Sequence, residues 1–83
     1  MGADAYRAWL AAWFRARDQD TTGREGQNMF EAALIDSLGV IELIEAAEAE
    51  FGFRFSEQNF QDRRFQTPAG LAEIMSELAA GRG

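Results

Sequence analysis

The residues best suited to chemistry are Asp36-Ser37-Leu38-Gly39, which stand at the start of a stretch with helical periodicity. A serine at a helix N-terminus presents its hydroxyl to solvent, and the free backbone N–H groups there favour an attached phosphate. The other interpretation is that Asp36 or Ser37 only caps the helix, a common role for both residue types. From the residues alone, Ser37 is therefore a candidate phosphate-bearing serine.

A second pattern resembles the first half of a calcium-binding loop, with the spacing D-x-D-x-T-G from Asp18 to Gly23. The twelfth position of such a loop needs a bidentate glutamate and is Met29 here. Arg24 would also place a cation inside the loop. We therefore expect a polar loop and no metal site.

The chain contains no cysteine and no histidine, and its eight basic residues are all arginines. These absences exclude disulfides, thiolate nucleophiles, cysteine zinc sites and the commonest general base. A hydrolase with Ser37 as its nucleophile would lack a histidine or lysine to activate the hydroxyl. We expect a protein on which enzymes act, not an enzyme.

The segments that must position Ser37 begin with an amphipathic helix, predicted over about residues 3–16 from the helical spacing of its apolar side chains. A polar, glycine-containing loop follows over residues 18–28, and long loops in small domains tend to be functional or mobile. A short apolar stretch then returns the chain to the core through Met29, Phe30, Leu34 and Ile35.

The second helix is predicted to follow Asp36 and to stop at Gly52. Ser56 can cap a single turn, and the pair Thr67-Pro68 is typical of the start of a last helix. Three main helices, one short helix and no strands indicate an all-α fold, a small four-helix bundle with a long loop between helices 1 and 2.

The second helix has two faces when its residues are placed at about 100° intervals. One face is apolar and is predicted to be core: Val40, Leu43, Ile44, Ala47 and Phe51. The other face combines aliphatic and acidic side chains: Leu38, Ile41, Glu42, Glu45 and Glu48. This second face suits a partner with an apolar pocket rimmed by basic residues. Periodicity alone equally allows a solvated face or a core that extends this far.

The formal net charge is −6, and residues 36–62 hold seven acidic residues against one arginine. This acidity argues against nucleic-acid binding and favours basic protein partners. No apolar run approaches the ~20 residues of a membrane span, and the N-terminus lacks a secretory signal. We expect a cytoplasmic monomer with a single domain over residues 1–83 and a core over about residues 3–80.

Asp36-Ser37-Leu38-Gly39, followed by an Ile-Glu-Leu-Ile helix rich in glutamate, resembles the acyl carrier protein family over about residues 29–80. The resemblance implies a helical bundle of acyl-carrier type. It also implies a 4′-phosphopantetheine arm, taken from coenzyme A and joined to Ser37 as a phosphodiester. An acyl or aminoacyl group would travel on that arm as a thioester.

Parts of the chain point to a subtype of that family. The stretches 28–31 and 34–39, together with Phe60, residues 62–65 and Thr67-Pro68, are closer to D-alanyl carrier and peptidyl-carrier-like members than to the fatty-acid-synthesis type. Two features depart from the family, the aromatic-rich first helix and the absence of lysine. They leave open the cargo and the pathway, whether fatty acid or specialised lipid biosynthesis.

The resemblance assigns roles to residues around the serine. Asp36 would help the phosphopantetheinyl transferase engage Ser37, and Gly39 would allow close approach of the arm or a partner. For Gly39, simple tolerance near a helix end is an equal explanation. The docking face would be Leu38, Ile41, Glu42, Glu45 and Glu48. Further partners would be an acyl- or aminoacyl-loading ligase and a downstream acyl transferase or synthase.

Two alternatives stand beside this interpretation. In the first alternative, the chain is a non-catalytic helical interaction module whose acidic helix binds a basic partner. Such a module would tolerate Ser37→Ala. Arg63 and Arg64 either contact the arm's phosphate or a partner, or are loop cations held near the acidic helix. We favour the second role for these two arginines, since exposed pairs contribute only ~0–1 kcal/mol each.

Overall fold

The computed structural model describes residues 2–81, and helices are its regular structure. They are α1 (Ala3–Arg15), α2 (Ser37–Phe51), α3 (Glu57–Gln61) and α4 (Pro68–Ala79), with a 3₁₀ helix at Arg63–Gln66 between α3 and α4. No strand occurs within residues 2–81. The predicted all-α bundle, with three main helices, a short one and a long first connection, is confirmed.

The helix ends lie where the sequence indicates them. Gly52 ends α2 with a left-handed φ of 77°, a conformation that glycine adopts without steric cost. Ser56 and Asn59 form a reciprocal capping box at the start of α3. The Thr67 hydroxyl accepts a hydrogen bond of 3.0 Å from the backbone N–H of Gly70 at the start of α4. The 3₁₀ helix was not predicted from the sequence.

The core forms where α1 packs on α4. Its buried side chains come from α1 (Tyr6, Leu10, Phe14), α2 (Leu43, Ala47), α4 (Leu71, Ala72, Ile74, Met75, Leu78) and the connections (Met29, Leu34, Ile35, Phe53, Phe65). Val40, Ile44 and Phe51 are half-buried and pack against this core, as predicted for that face of α2. The prediction for Phe30 is wrong, because 38% of this residue is exposed.

Aromatic contacts join α2 to α1. The ring of Phe51 lies 5.0 Å from that of Tyr6 and 5.3 Å from that of Trp9, measured between centroids, and both pairs are edge-on. Edge-on pairs at such distances contribute about 0.5–1.5 kcal/mol beyond the burial of their area. The C-terminal end of α2 is thereby fixed against α1, and its N-terminal end depends on the long connection.

The long connection from α1 to α2 is tied to the 3₁₀ helix and to the first turn of α4 by backbone hydrogen bonds. Met29 donates its N–H to the carbonyl of Gln66 at 2.8 Å, and Ala69 donates to the carbonyl of Glu25 at 3.0 Å. Burial of Met29 adds an apolar anchor between these two bonds. The segment that leads into α2 is therefore ordered, and it fixes where Ser37 lies.

Arg64 is held by carboxylates of its own neighbourhood. Its guanidinium lies 2.6 Å from the Glu77 carboxylate and 2.8 Å from that of Asp62, and Glu73 is 3.6 Å away. Hydrogen bonds from the Arg64 side chain and backbone N–H hold the pKa of Asp62 below its usual range. Arg64 is thus a structural cation as favoured above, although its partners lie on α4 and at Asp62 and not on the acidic helix.

Candidate functional site

Ser37 is the first residue of α2 and is exposed. The cap preceding it is Asp36, whose Oδ1 accepts a hydrogen bond of 2.7 Å from the backbone N–H of Gly39. Within residues 2–81, the Ser37 hydroxyl has no hydrogen-bond partner of its own. The helix-cap interpretation therefore holds for Asp36 alone, and the serine hydroxyl is free to carry a substituent.

Gly39 lies buried in the first turn of α2. A Cβ atom at this position would lie 2.9 Å from Cγ1 of Ile35 and 3.1 Å from Oδ1 of Asp36. Side chains of the protein itself therefore already approach this glycine closely. This close packing explains a glycine here independently of the arm and of tolerance near a helix end. Its predicted role toward the arm stays a prediction.

Ser37 is one of the residues that line an open groove of about 880 Å³. Its walls are formed by residues of the long connection and the start of α2: Arg17, Gln19, Phe30, Ala33, Leu34, Ile35, Asp36 and Ser37. The lining mixes aliphatic and aromatic surface with one cationic side chain, one carboxylate, one amide and the hydroxyl of Ser37. Such a groove can accept a flexible chain that has both apolar and amide groups.

Arg17, which our sequence analysis did not single out, belongs to this site. Its Nη1 lies 3.1 Å from Oε1 of Glu42, and its Cζ lies 4.8 Å from the centroid of the Trp13 ring. Phe30 was likewise missed as a groove residue. Helical periodicity cannot find either residue, because both lie in the irregular connection whose path depends on tertiary contacts.

The structure brings four of the five predicted docking residues onto one exposed surface. Leu38 is 69% exposed and Ile41 is 54% exposed, so the two aliphatic side chains expose apolar surface one helical turn apart. Glu42 and Glu45 are exposed beside them. We call Leu38, Ile41, Glu42 and Glu45 the α2 surface patch.

Glu48, the fifth predicted docking residue, is not part of the α2 surface patch. It is half-buried, and its Oε2 accepts a hydrogen bond of 2.9 Å from the backbone N–H of Phe55. This bond ties the segment after α2 back onto the helix. A structural role accounts for Glu48 within the described residues, and its predicted docking role stays a prediction.

The cap at Asp36 leads to a stability prediction. Asp36→Ala should lower the free energy of unfolding by about 1 kcal/mol, because the backbone N–H of Gly39 loses its acceptor. Asp36→Asn keeps an acceptor oxygen and should stay within a few tenths of a kcal/mol of the native protein. Urea unfolding of the three proteins measures both differences. An equal loss in both variants would show that the charge, and not the hydrogen bond, stabilises the helix start.

Within residues 2–81 there is neither a metal-binding cluster nor a helix that could cross a membrane. No three His, Cys, Asp or Glu side chains there approach one another closely enough to hold a metal ion. Asp20, in the calcium-like stretch, accepts a hydrogen bond of 2.9 Å from the backbone N–H of Thr22. None of the described helices combines the length and apolar character that a membrane crossing needs.

Comparison with known proteins gives a family for this fold and site. Residues 16–75 match the model of the family described as phosphopantetheine attachment site, so the matched segment contains the groove, Ser37 and all of α2. No curated protein and no solved structure matches the chain. The match covers more than half of the 83 residues. With an all-α bundle and a free serine hydroxyl at the start of its acidic helix, the chain belongs to the acyl carrier protein family, whose members carry covalently attached 4′-phosphopantetheine.

Proposed function

We propose that Ser37 is the attachment site of the phosphopantetheine arm and that the protein presents an acyl or aminoacyl group to partner enzymes. The observation that carries this assignment is the free hydroxyl of Ser37. It is exposed at the start of α2, whereas Asp36 next to it is engaged as the helix cap. When attached, the arm supplies a terminal thiol on which the cargo is held as a thioester.

The residues around Ser37 fit such a group. The backbone N–H groups at the start of α2 and the nearby Arg17 favour a phosphate at the serine. The groove that Ser37 lines offers Phe30 and Ile35 as apolar contacts and Gln19 as a hydrogen-bonding side chain. These side chains suit an arm that contains both methylene and amide groups.

The α2 surface patch is the proposed docking site for the partner enzymes. Leu38 lies next to Ser37 in sequence and Ile41 follows one helical turn later, so a partner that covers both side chains also reaches the modified serine. The carboxylates of Glu42 and Glu45 suit basic residues at the rim of the partner's pocket. The partners would be a phosphopantetheinyl transferase, an acyl- or aminoacyl-loading ligase and a downstream acyl transferase or synthase. The chain itself catalyses no step in this scheme.

The finer assignment follows the sequence resemblance. We place the protein nearest to D-alanyl carrier and peptidyl-carrier-like members, as a cytoplasmic monomer with one carrier domain over residues 1–83. A dedicated loading enzyme would then select the cargo. Thioester formation with a panel of amino acids and fatty acids, in the presence of candidate ligases, would identify the acid.

A second candidate function is a helical interaction module, which the exposure of Leu38 and Ile41 also favours. In that case the patch alone would matter and Ser37 would carry nothing. The two functions differ in the consequence of Ser37→Ala. This substitution would abolish the function of a carrier and would leave the function of a docking module intact.

The experiment is the intact mass of the purified protein before and after incubation with coenzyme A, Mg²⁺ and a broad-specificity phosphopantetheinyl transferase. We expect the native protein to gain one phosphopantetheine and Ser37→Ala to gain none. Ser76→Ala is the matched control, because Ser76 is half-buried within α4 and should not affect the reaction. No gain on folded native protein, with a known carrier modified in parallel, would contradict the assignment.

A further inference from the structure

Arg17 occupies a position between two parts of α2. Through Nη1 it pairs with Glu42 on the α2 surface patch, at 3.1 Å. Through Nη2 it approaches the first turn of the helix, 3.5 Å from the place where a Cβ of Gly39 would lie. Its guanidinium therefore lies beside both the docking patch and the turn that carries Ser37.

Arg17 is also the cationic residue that lines the groove at Ser37 within residues 2–81. Its guanidinium lies over the ring of Trp13, with 4.8 Å between Cζ and the ring centroid. This cation–π contact favours the present position of the guanidinium without using its N–H donors. Small rotations of the terminal torsions can then direct those donors toward different acceptors.

The ion pair with Glu42 is weak enough to exchange. The two side chains are 43% and 50% exposed, and pairs of this kind contribute ~0–1 kcal/mol because water and salt screen them. A phosphodiester on Ser37 would be a fixed anion in the same groove. Arginine binds phosphate oxygens through two parallel N–H donors, which is stronger than a single exposed contact with a carboxylate.

We infer that Arg17 moves from Glu42 to the phosphodiester when Ser37 is modified, an inference that rests on the proposed function. Arg17 thereby holds the start of the arm at the groove as a positioning residue. The exchange also leaves Glu42 without its cation, so the α2 surface patch becomes more negative in the modified protein. Basic partners can then distinguish the modified protein from the unmodified one at the docking step.

The test uses NMR spectroscopy of the modified native protein and of modified Arg17→Gln. We expect the ³¹P resonance of the phosphodiester to move by more than its linewidth in Arg17→Gln and by less in Arg17→Lys, which keeps the charge. Arg54→Gln is the matched control. This exposed arginine follows the C-terminal end of α2, a helix about 20 Å long that begins at Ser37, and should leave the resonance unchanged.

The second readout is the carboxyl ¹³C resonance of Glu42. It should shift when the native protein is modified, and it should already lie near the shifted position in unmodified Arg17→Gln. Glu45, on the same patch, serves as the internal reference. These readouts do not depend on any loaded cargo or on enzyme activity.

The outcomes separate this inference from the proposed function. A full mass gain on Ser37, with identical ³¹P resonances in native protein and folded Arg17→Gln, would overturn the role of Arg17 and leave the carrier function intact. An unchanged Glu42 resonance on modification would overturn the exchange. Absence of any mass gain would overturn the proposed function and this inference together.

Discussion

Replacing Gly70 with alanine is expected to lower the free energy of unfolding by about 2–3 kcal/mol, the upper range for an overpacked site. For a domain of this length, such a loss corresponds to a fall in Tm of roughly 10–20 °C. The sign of this change in the free energy of unfolding is informative. Alanine is the better helix former by about 1 kcal/mol, so at an uncrowded position in α4 the same substitution would stabilise the protein.

The physical reason is the contact between the first turn of α4 and the 3₁₀ helix. A Cβ atom on Gly70 would overlap the carbonyl oxygen of Arg64 and lie 2.7 Å from its Cα. These are backbone atoms and cannot rotate away as a flexible side chain can. The segment is further fixed by the Gln66 carbonyl, which accepts from Met29, and by the ion pairs of Arg64. The added methyl group must therefore displace α4 from the 3₁₀ helix.

Gly26→Ala is the matched control for this prediction. Nothing lies within 4 Å of a Cβ built at Gly26, in the long connection, so the substitution should stay within about 0.5 kcal/mol of the native protein. Thermal and urea unfolding of both variants measure the difference. Equal stabilities of the Gly70 and Gly26 variants would contradict the packing argument for α4.

Local signals in the sequence are sufficient to predict the four α-helices and the position of Ser37, but not the 3₁₀ helix. Apolar spacing indicates α1, α2 and α4, and the capping residues at Asp36, Ser56 and Thr67 indicate where helices begin. These features act within four residues of the chain, so they can be recognised without a tertiary structure. The same reasoning places Ser37 at a helix start, whereas it leaves open whether Leu38 lies on an exposed face or in the core; the structure shows that it is exposed.

The groove beside Ser37 could not be predicted in this way, because it is built by the irregular connection. Ala33 and Asp18 adopt left-handed conformations, with φ of 59° and 63°, although residues with a Cβ usually avoid that region. Local hydrogen bonds close both turns, from Gln19 N–H to the Phe14 carbonyl and from Leu34 N–H to the Met29 carbonyl, but the path of the connection also depends on bonds distant in sequence, such as that from Met29 to Gln66. The positions of Arg17 and Phe30 follow from that path and not from any local pattern.

The second large effect is expected on partner recognition. The double variant Leu38→Ser/Ile41→Ser should lower kcat/KM for phosphopantetheine transfer by roughly 30- to 1000-fold. Each side chain would lose about 1–2 kcal/mol of apolar burial in the complex, and each 1.4 kcal/mol is tenfold. The free energy of unfolding should change by no more than about 1 kcal/mol, because Leu38 is mainly exposed and Ile41 is about half exposed in the free protein. Steady-state kinetics with intact-mass detection measures the first effect and urea unfolding the second.

Phe60→Ser is the control, because it should lower the stability of the protein without slowing its modification. Phe60 is 47% exposed on α3, and its ring lies 5.3 Å from that of Phe65. Losing that contact should cost about 1 kcal/mol of stability, yet modification of the folded protein should proceed at the native rate. If the Leu38/Ile41 and Phe60 variants slowed modification equally, exposed apolar area in general would be recognised, and the α2 surface patch would not be the docking site. A slow double variant beside a normal Phe60 variant would place recognition on the two aliphatic residues next to Ser37.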